Sequence, residues 1–195
     1  ISWWPENGKQ TESRRLEMKL QEGTACCGVA QLGNLAGDTR YQALVTLDGS
    51  DAKAMCRFRT APQPGTPARP FRVYLGSCAY TEALSPAGNP YGDDFHIFDA
   101  IAGKMEADPL PHFMLWLGDN LYLRPKGKYL GEADFASVAR MEARYRDVRA
   151  LPMFKKLFAA THHYALWDDH DYGPNDSDKT FVFKSDALRL FRQYW

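Results

Sequence analysis

His162 to Asp178 read HHYALWDDHDYGPNDSD. An apolar run breaks off into Asp168, Asp169, His170 and Asp171, and after a Gly-Pro turn come Asn175, Asp176 and Asp178. Carboxylates set this densely repel one another at neutral pH unless a cation or strong hydrogen-bond donors sit among them. A short apolar run bounded by turn signals is the mark of a buried strand. The segment therefore reads as a strand that delivers metal-ligating side chains at its carboxyl end.

Two upstream segments have the same form. FRVYLGSCAY, residues 71–80, is an apolar strand running into Cys78, and PHFMLWLGDNLYL, residues 111–123, runs into Asp119 and Tyr122. Between them, DDFHIFDAIAGKM repeats Phe95, Phe98 and Ile101 at helical spacing behind an acidic first turn. ADFASVARMEARYRDV then reads as an amphipathic helix, and PMFKKLFAAT as a shorter one opened by Pro152. A β-α-β-α-β series implies a parallel sheet with right-handed crossovers. In open parallel sheets ligands bind at the carboxyl ends of the strands, so thiol, carboxylate, phenol, amide and imidazole groups from three strands are expected at one edge.

The chain has a different character before residue 65. RLEMKL, CGVAQLGNL, TRYQALVTLD and KAMCRFRTA are short β-type segments separated by Gly, Asn and Asp turn signals. Although RLEMKL also fits an amphipathic helix, the set predicts several antiparallel strands of a β-sandwich. APQPGTPARP, residues 61–70, holds four prolines and a glycine, which suits an extended, semi-rigid connection. The expected division is a partial sandwich over 1–62, a linker over 63–70 and an α/β unit over 71–195.

Composition narrows the function classes. With 24 basic and 24 acidic residues among 195, no global field favours nucleic acid or an acidic membrane surface. No run approaches the roughly 18 apolar residues of a membrane span, and ISWWPENGKQ has no signal-peptide pattern. Cys26, Cys27, Cys56 and Cys78 form no zinc-finger spacing. A bridge from Cys56 to Cys26 or Cys27 and free thiols in small core gaps are both compatible with their placement.

Taken in order, FRVYLGSCAY, LWLGDNLYL and LWDDHDYGPNDSD resemble the catalytic half of the PhoD-like alkaline phosphatases, a branch of the metallophosphoesterases. NLAGDTRYQALVTLDG and CRFRTAP are similar to the end of the fibronectin-III/immunoglobulin-like sandwich that precedes catalysis in that family. The resemblance implies hydrolysis of small-molecule phosphomonoesters or phosphodiesters at an iron(III) and calcium cluster (Fe3+ and Ca2+), in a secreted or periplasmic protein. It implies that Cys78 and Tyr122 ligate iron, that Asp119 is shared between metals, and that Asn175 ligates the second metal. It also places Asp169 and His170 at the catalytic site. The family's sheet continues past its third strand with further Asp and His ligands, so the chain is expected to be a fragment, inactive by itself.

The donor types fit that chemistry. A trivalent ion holds phenolate and thiolate as anions, and a hard divalent ion prefers carboxylate and amide oxygens. His170 can protonate a leaving oxygen or stabilise charge on phosphorus. Two other readings use the same residues: a Cys-His-Asp nucleophile with Cys78 attacking and His170 as base, and a non-catalytic ligand- or partner-binding module. Asp168 and Asp169 also suit capping of the following turn, Asp171, Asp176 and Asp178 suit a solvated turn, and His162 and His163 suit structural roles. Arg144, Arg146 and Arg149 are expected on a solvated helix face, with Glu142 pairing Arg146.

Overall fold

The computed structural model describes residues 1–19, 27–67, 69–81, 95–123 and 134–195, and the chain is a mixed α/β protein built on two sheets. The first is antiparallel, with strands β1 (Ser2–Pro5), β2 (Arg14–Arg15), β3 (Arg40–Thr46) and β4 (Lys53–Arg59) in the order β2-β1-β3-β4. β3 and β4 pair from Arg40↔Arg59 to Thr46↔Lys53. The alternation in RYQALVTL buries Tyr41 and Ala43, which join Trp3 in a small core with Leu16, Leu32, Leu35, Cys56 and Phe58 packed against it.

Several expectations for this region are corrected. CGVAQLGNL forms no strand: Gly33 and Asn34, the latter at φ +56°, interrupt extension, and Leu32 and Leu35 serve as plugs of the small core. Of RLEMKL only Arg15 enters a strand, over its described residues. Among the described residues the expected sandwich is one antiparallel layer, and its fibronectin-III or immunoglobulin-like identity is not established by that layer. Neither Cys27 nor Cys56 forms a disulfide among the described residues, and Cys26 lies outside them. The Pro-rich stretch is irregular but tethered, because Asp38 pairs with Arg59 and with Arg69, each at 2.8 Å.

The second sheet is parallel, with β5 (Arg72–Gly76), β6 (His112–Leu117) and β7 (His162–Leu166) in that order. α1 (His96–Ala107) lies between β5 and β6, and α2 (Val138–Ala150) and α3 (Pro152–Ala160) lie between β6 and β7. α2 starts later than its amphipathic pattern, because Ser137 caps it by accepting the Arg140 N–H at 3.3 Å. Pro152 opens α3 at a position where its missing N–H has no helical partner to lose. A short α4 (Asp169–Tyr172) and an amphipathic α5 (Lys184–Tyr194) follow β7.

One face of this sheet makes the main core. Met114 and Trp116 are buried against Ala102 and Met105 of α1 and Phe154 and Leu157 of α3, with Tyr74 and Ala165 beside them. The alternate residues Val73, Leu75, Leu117, Tyr164 and Leu166 are 36–64% exposed. Parallel strands read as apolar on both faces, and these do. None of the helices among the described residues is long and apolar enough to cross a membrane.

The arginine group is not a solvated face. Arg144 is buried and donates from Nε to the Tyr122 carbonyl at 3.4 Å. Arg149 sits among the rings of Tyr145, Phe158, Tyr194 and Trp195 at 4.6–5.8 Å and donates to the Tyr194 carbonyl. That cage docks the end of α5 onto α2 and α3. Only Arg146 is exposed as expected.

His162 and His163 are structural. His162 Nε2 donates to the Arg59 carbonyl at 2.9 Å, linking the two sheets. His163 Nδ1 accepts the Trp116 indole N–H at 3.0 Å while Nε2 donates to the Leu157 carbonyl at 3.0 Å. Burial lowers the His163 pKa from 6.5 to about 4, so the folded chain holds it neutral. The unfolded chain binds this proton more readily, and stability is therefore lost as pH falls from 6.5 toward 4. The loss reaches ~3 kcal/mol below that window. Urea unfolding at pH 7, 6, 5 and 4 should show it, and His163→Gln should flatten the profile over that range.

Candidate metal centre

The registers of the parallel sheet set the site. Gly76 lies opposite Trp116, and Leu117 opposite Leu166, so the three strands stop nearly level and their following loops meet. Cys78 N–H donates to the Gly118 carbonyl at 3.2 Å and Ala79 N–H to the Asp119 carbonyl at 2.8 Å, tying the first loop to the second. The second is tied to the third by Leu123 N–H on the His170 carbonyl at 3.4 Å and by Asn120 Nδ2 on the Leu166 carbonyl at 2.7 Å.

Backbone strain accompanies these ties. Cys78 and Asp119 take φ of +53° and +52°, a region that costs a non-glycine residue about 1 kcal/mol or more. Between them in space, Gly118 lies at φ +99°, and a Cβ there would stand 2.7 Å from Asp168 Cβ. Glycine is required at this position both for its conformation and for the close approach of the β7 loop.

The side chains then converge on Asp119. Its Oδ2 accepts from the Tyr122 hydroxyl at 3.1 Å and from the Cys78 thiol at 3.6 Å. One ligand atom each from Asp119, Asp169 and His170 fall within 4.8 Å of one another. The Tyr122 ring lies 4.3 Å from the His170 ring. Asn175 is exposed and joins at one remove: Nδ2 donates to Asp176 Oδ2 at 2.6 Å, and Asp176 N–H donates to Asp169 Oδ2 at 2.5 Å. Thus Cys78, Asp119, Tyr122, Asp169 and His170 share one cluster, with Asn175 at its margin.

The donor set suits a cation. Asp119 Oδ1 and His170 Nδ1 are buried with no hydrogen-bond partner among the described residues. Burial raises the Tyr122 pKa, the Asp119 charge adds to it, and the hydrogen bonds to Cys78 and Asp119 add further. The phenol is therefore held protonated by its surroundings, and only an added positive charge would favour phenolate there.

Of two further residues of the motif, Asp168 takes the capping role open to it in the sequence, and Asp171 departs from its reading. Asp168 is the N-cap of α4, forming a reciprocal capping box with Asp171. Asp171 is 1% exposed rather than part of a solvated turn, and its carboxylate accepts from Asn120 and Asp168. Burial raises its pKa to about 7; those N–H groups oppose the rise and the Asp119 charge reinforces it. Asn120, also buried, was not singled out at all. The D-x-x-D spacing of Asp168 and Asp171 carried the signal for the capping box, whereas nothing local marked Asn120.

Replacing Gly118 by Ala should push the β7 loop away from Asp119. We expect a loss of about 2 kcal/mol or more in chemical denaturation, since both the left-handed backbone and the clash oppose a methyl group.

No protein-family model matches the chain, and no curated protein matches its sequence. Among solved structures, one of PhoD matches with a TM-score of 0.60 at 17% identity, over 81% of this chain and 31% of that chain. The chain thus spans under a third of the length of that structure. At this identity the likeness concerns fold alone: the chain has a PhoD-like α/β fold.

Proposed function

We propose that this chain carries part of a metal-dependent phosphoester hydrolase centre, acting on small-molecule phosphomonoesters or diesters. The observation that supports it best is the meeting of Cys78, Tyr122, Asp119, Asp169 and His170 from three strand ends at the carboxyl edge of one parallel sheet. The PhoD-like fold and the three resembling motifs agree with it. In this reading residues 1–62 are part of a sandwich domain, 63–70 a linker and 71–195 part of the catalytic domain. Localisation outside the cytoplasm follows the same resemblance.

Iron(III) and calcium are the cations proposed, and when bound they would supply the Lewis acidity and positive charge that phosphoryl transfer to water requires. Cys78 and Tyr122 are the anionic donors suited to the trivalent ion. Asp119, whose Oδ2 faces both of them while Oδ1 has no hydrogen-bond partner among the described residues, would be the carboxylate shared between the cations. The Asn175 amide oxygen suits the divalent ion, because its Nδ2 is already engaged by Asp176. Asp169 orients the 175–176 turn through the Asp176 N–H. His170, its ring tilted against that of Tyr122, is the residue proposed to donate a proton to a leaving oxygen.

The thiol-nucleophile alternative is less well supported. Cys78 hydrogen-bonds the Asp119 carboxylate and not the imidazole that would have to act as its base. A binding module without catalysis needs no bound metal, whereas Asp119 Oδ1 and His170 Nδ1, which have no hydrogen-bond partner among the described residues, favour a site that takes a cation.

Metal titration followed by elemental analysis tests the proposal. The chain should bind iron and calcium, though loosely, and Asp119→Asn should weaken that binding by 10–100-fold, because an amide is a poor bridge between cations. In a protein that carries the complete centre, nitrophenyl phosphate monoester and diester turnover should be abolished by the same change. An Asp119→Asn chain with unchanged metal content would remove the central residue of the proposal.

A further inference from the structure

Three N–H donors from two different loops converge on a single oxygen of Asp171. Oδ2 accepts the Asn120 backbone N–H at 3.2 Å, the Asn120 side-chain Nδ2 at 3.2 Å and the Asp168 backbone N–H at 3.1 Å. The same Asn120 Nδ2 donates to the Leu166 carbonyl at 2.7 Å, the last residue of β7. Asp171 and Asn120 are 1% and 2% exposed, so water does not compete for these bonds. Neither residue belongs to the cluster of Asp119, Asp169 and His170, yet each adjoins a member of it in sequence: Asn120 follows Asp119, and Asp171 follows His170.

We infer that Asp171 is a positioning residue whose carboxylate, with Asn120, clamps the Asp119 loop to the Asp168–His170 loop and so sets the spacing of Asp119, Asp169 and His170 at the site. The inference rests on the metal-centre reading proposed above. Its physical basis is the angular demand of the two loops. Asp119 is held at φ +52°, and Gly118 must admit Asp168 within contact distance, so the loops meet in strained conformations that need a compensating tie. The parallel ladder ends at Leu117↔Leu166. Beyond it the clamp, together with the Leu123 N–H to His170 carbonyl bond, carries the alignment of β6 and β7 forward to the ligands. A carboxyl group suits the task better than an amide, because Oδ2 accepts all three N–H groups, whereas an amide has one acceptor oxygen and an NH2 that can only donate.

The clamp is tested on the 195-residue chain with Asp171→Asn, Asn120→Ala and the double variant, using two measurements. The first is amide hydrogen exchange at Asn120 and Asp168, with Met114 and Trp116 as internal references. The second is the affinity for terbium(III), a hard trivalent probe of the Asp119, Asp169 and His170 ligands. In Asp171→Asn, exchange at both Asn120 and Asp168 should quicken by about tenfold or more while the references hold, and terbium affinity should fall by 10–100-fold, the range typical of groups that orient ligands. The double variant should bind terbium no more weakly than the worse single one, because the two residues act through one tie. Protection at Asn120 or Asp168 that survives Asp171→Asn would overturn the clamp. Loss of protection with terbium affinity unchanged would confine Asp171 to a structural role and overturn positioning. Should the wild-type chain bind no terbium, the metal-centre reading falls, and exchange alone decides whether the two loops are clamped. If Asp171→Asn does not fold, Asn120→Ala tests the same tie from the other loop, by the same two measurements.

Discussion

Everything at the candidate site depends on the parallel register of β5, β6 and β7. Because neighbouring parallel strands are hydrogen-bonded at even spacing, residues at matched heights stay level along the whole ladder. Gly76, Trp116 and Ala165 occupy one such level, with Leu117 and Leu166 just beyond. A shift of one residue in either pairing would turn Trp116 from the helix-covered core to the exposed face and would move the Asp119 loop out of reach of Asp168. The buried Trp116, ringed by Phe98, Phe154, Phe158 and Trp195 and hydrogen-bonded to His163, makes that slip costly. Core packing and ligand geometry are in this sense one constraint.

The loops beyond the register trade backbone comfort for convergence. Left-handed Cys78 and Asp119, and Gly118 with its close neighbour Asp168, are unfavourable taken singly. They persist because backbone hydrogen bonds tie successive loops together and because Asp171 and Asn120 are fully buried at the junction. The outcome is an electrostatically unfinished cluster. Carboxylates, a protonated phenol and a thiol lie around Asp119, whose second oxygen has no partner among the described residues. Such a set is poorly satisfied by its own hydrogen bonds and well matched to hard cations.

The apolar exposed face of the parallel sheet bears on how far this architecture extends. Leu75, Tyr164 and Leu166 are each about three-fifths exposed, on a sheet type that is found covered on both faces. The match to PhoD involves under a third of that longer chain. The described site is therefore best compared with one part of that fold, and its chemistry argued from its own residues.

Much of the α/β half was legible in the sequence. FRVYLG, HFMLWL and HHYAL each became a strand, since short apolar runs between turn signals have few other ways to be buried, and Pro152 marked the start of a helix by its missing donor. That Cys78, Asp119, Tyr122, Asp169 and His170 would lie near one another was legible because each follows the end of an apolar strand, whereas their roles were implied by the resemblance alone. What tertiary structure alone decided involves partners distant in sequence. Asp171 read as a solvated turn residue until Asn120, 51 positions away, was brought to its carboxylate. Arg144 and Arg149 read as a charged surface until the Tyr122 carbonyl and the aromatic rings at the end of α5 closed over them. CGVAQLGNL carried the residue types of a strand, but Gly33 and left-handed Asn34 break its extension, and Leu32 and Leu35 pack separately against the small core instead. Local pattern determines which backbone a segment prefers and which face is apolar. Whether a charged group is solvated or clamped depends on which distant loop packs against it, and that is a property of the assembled fold.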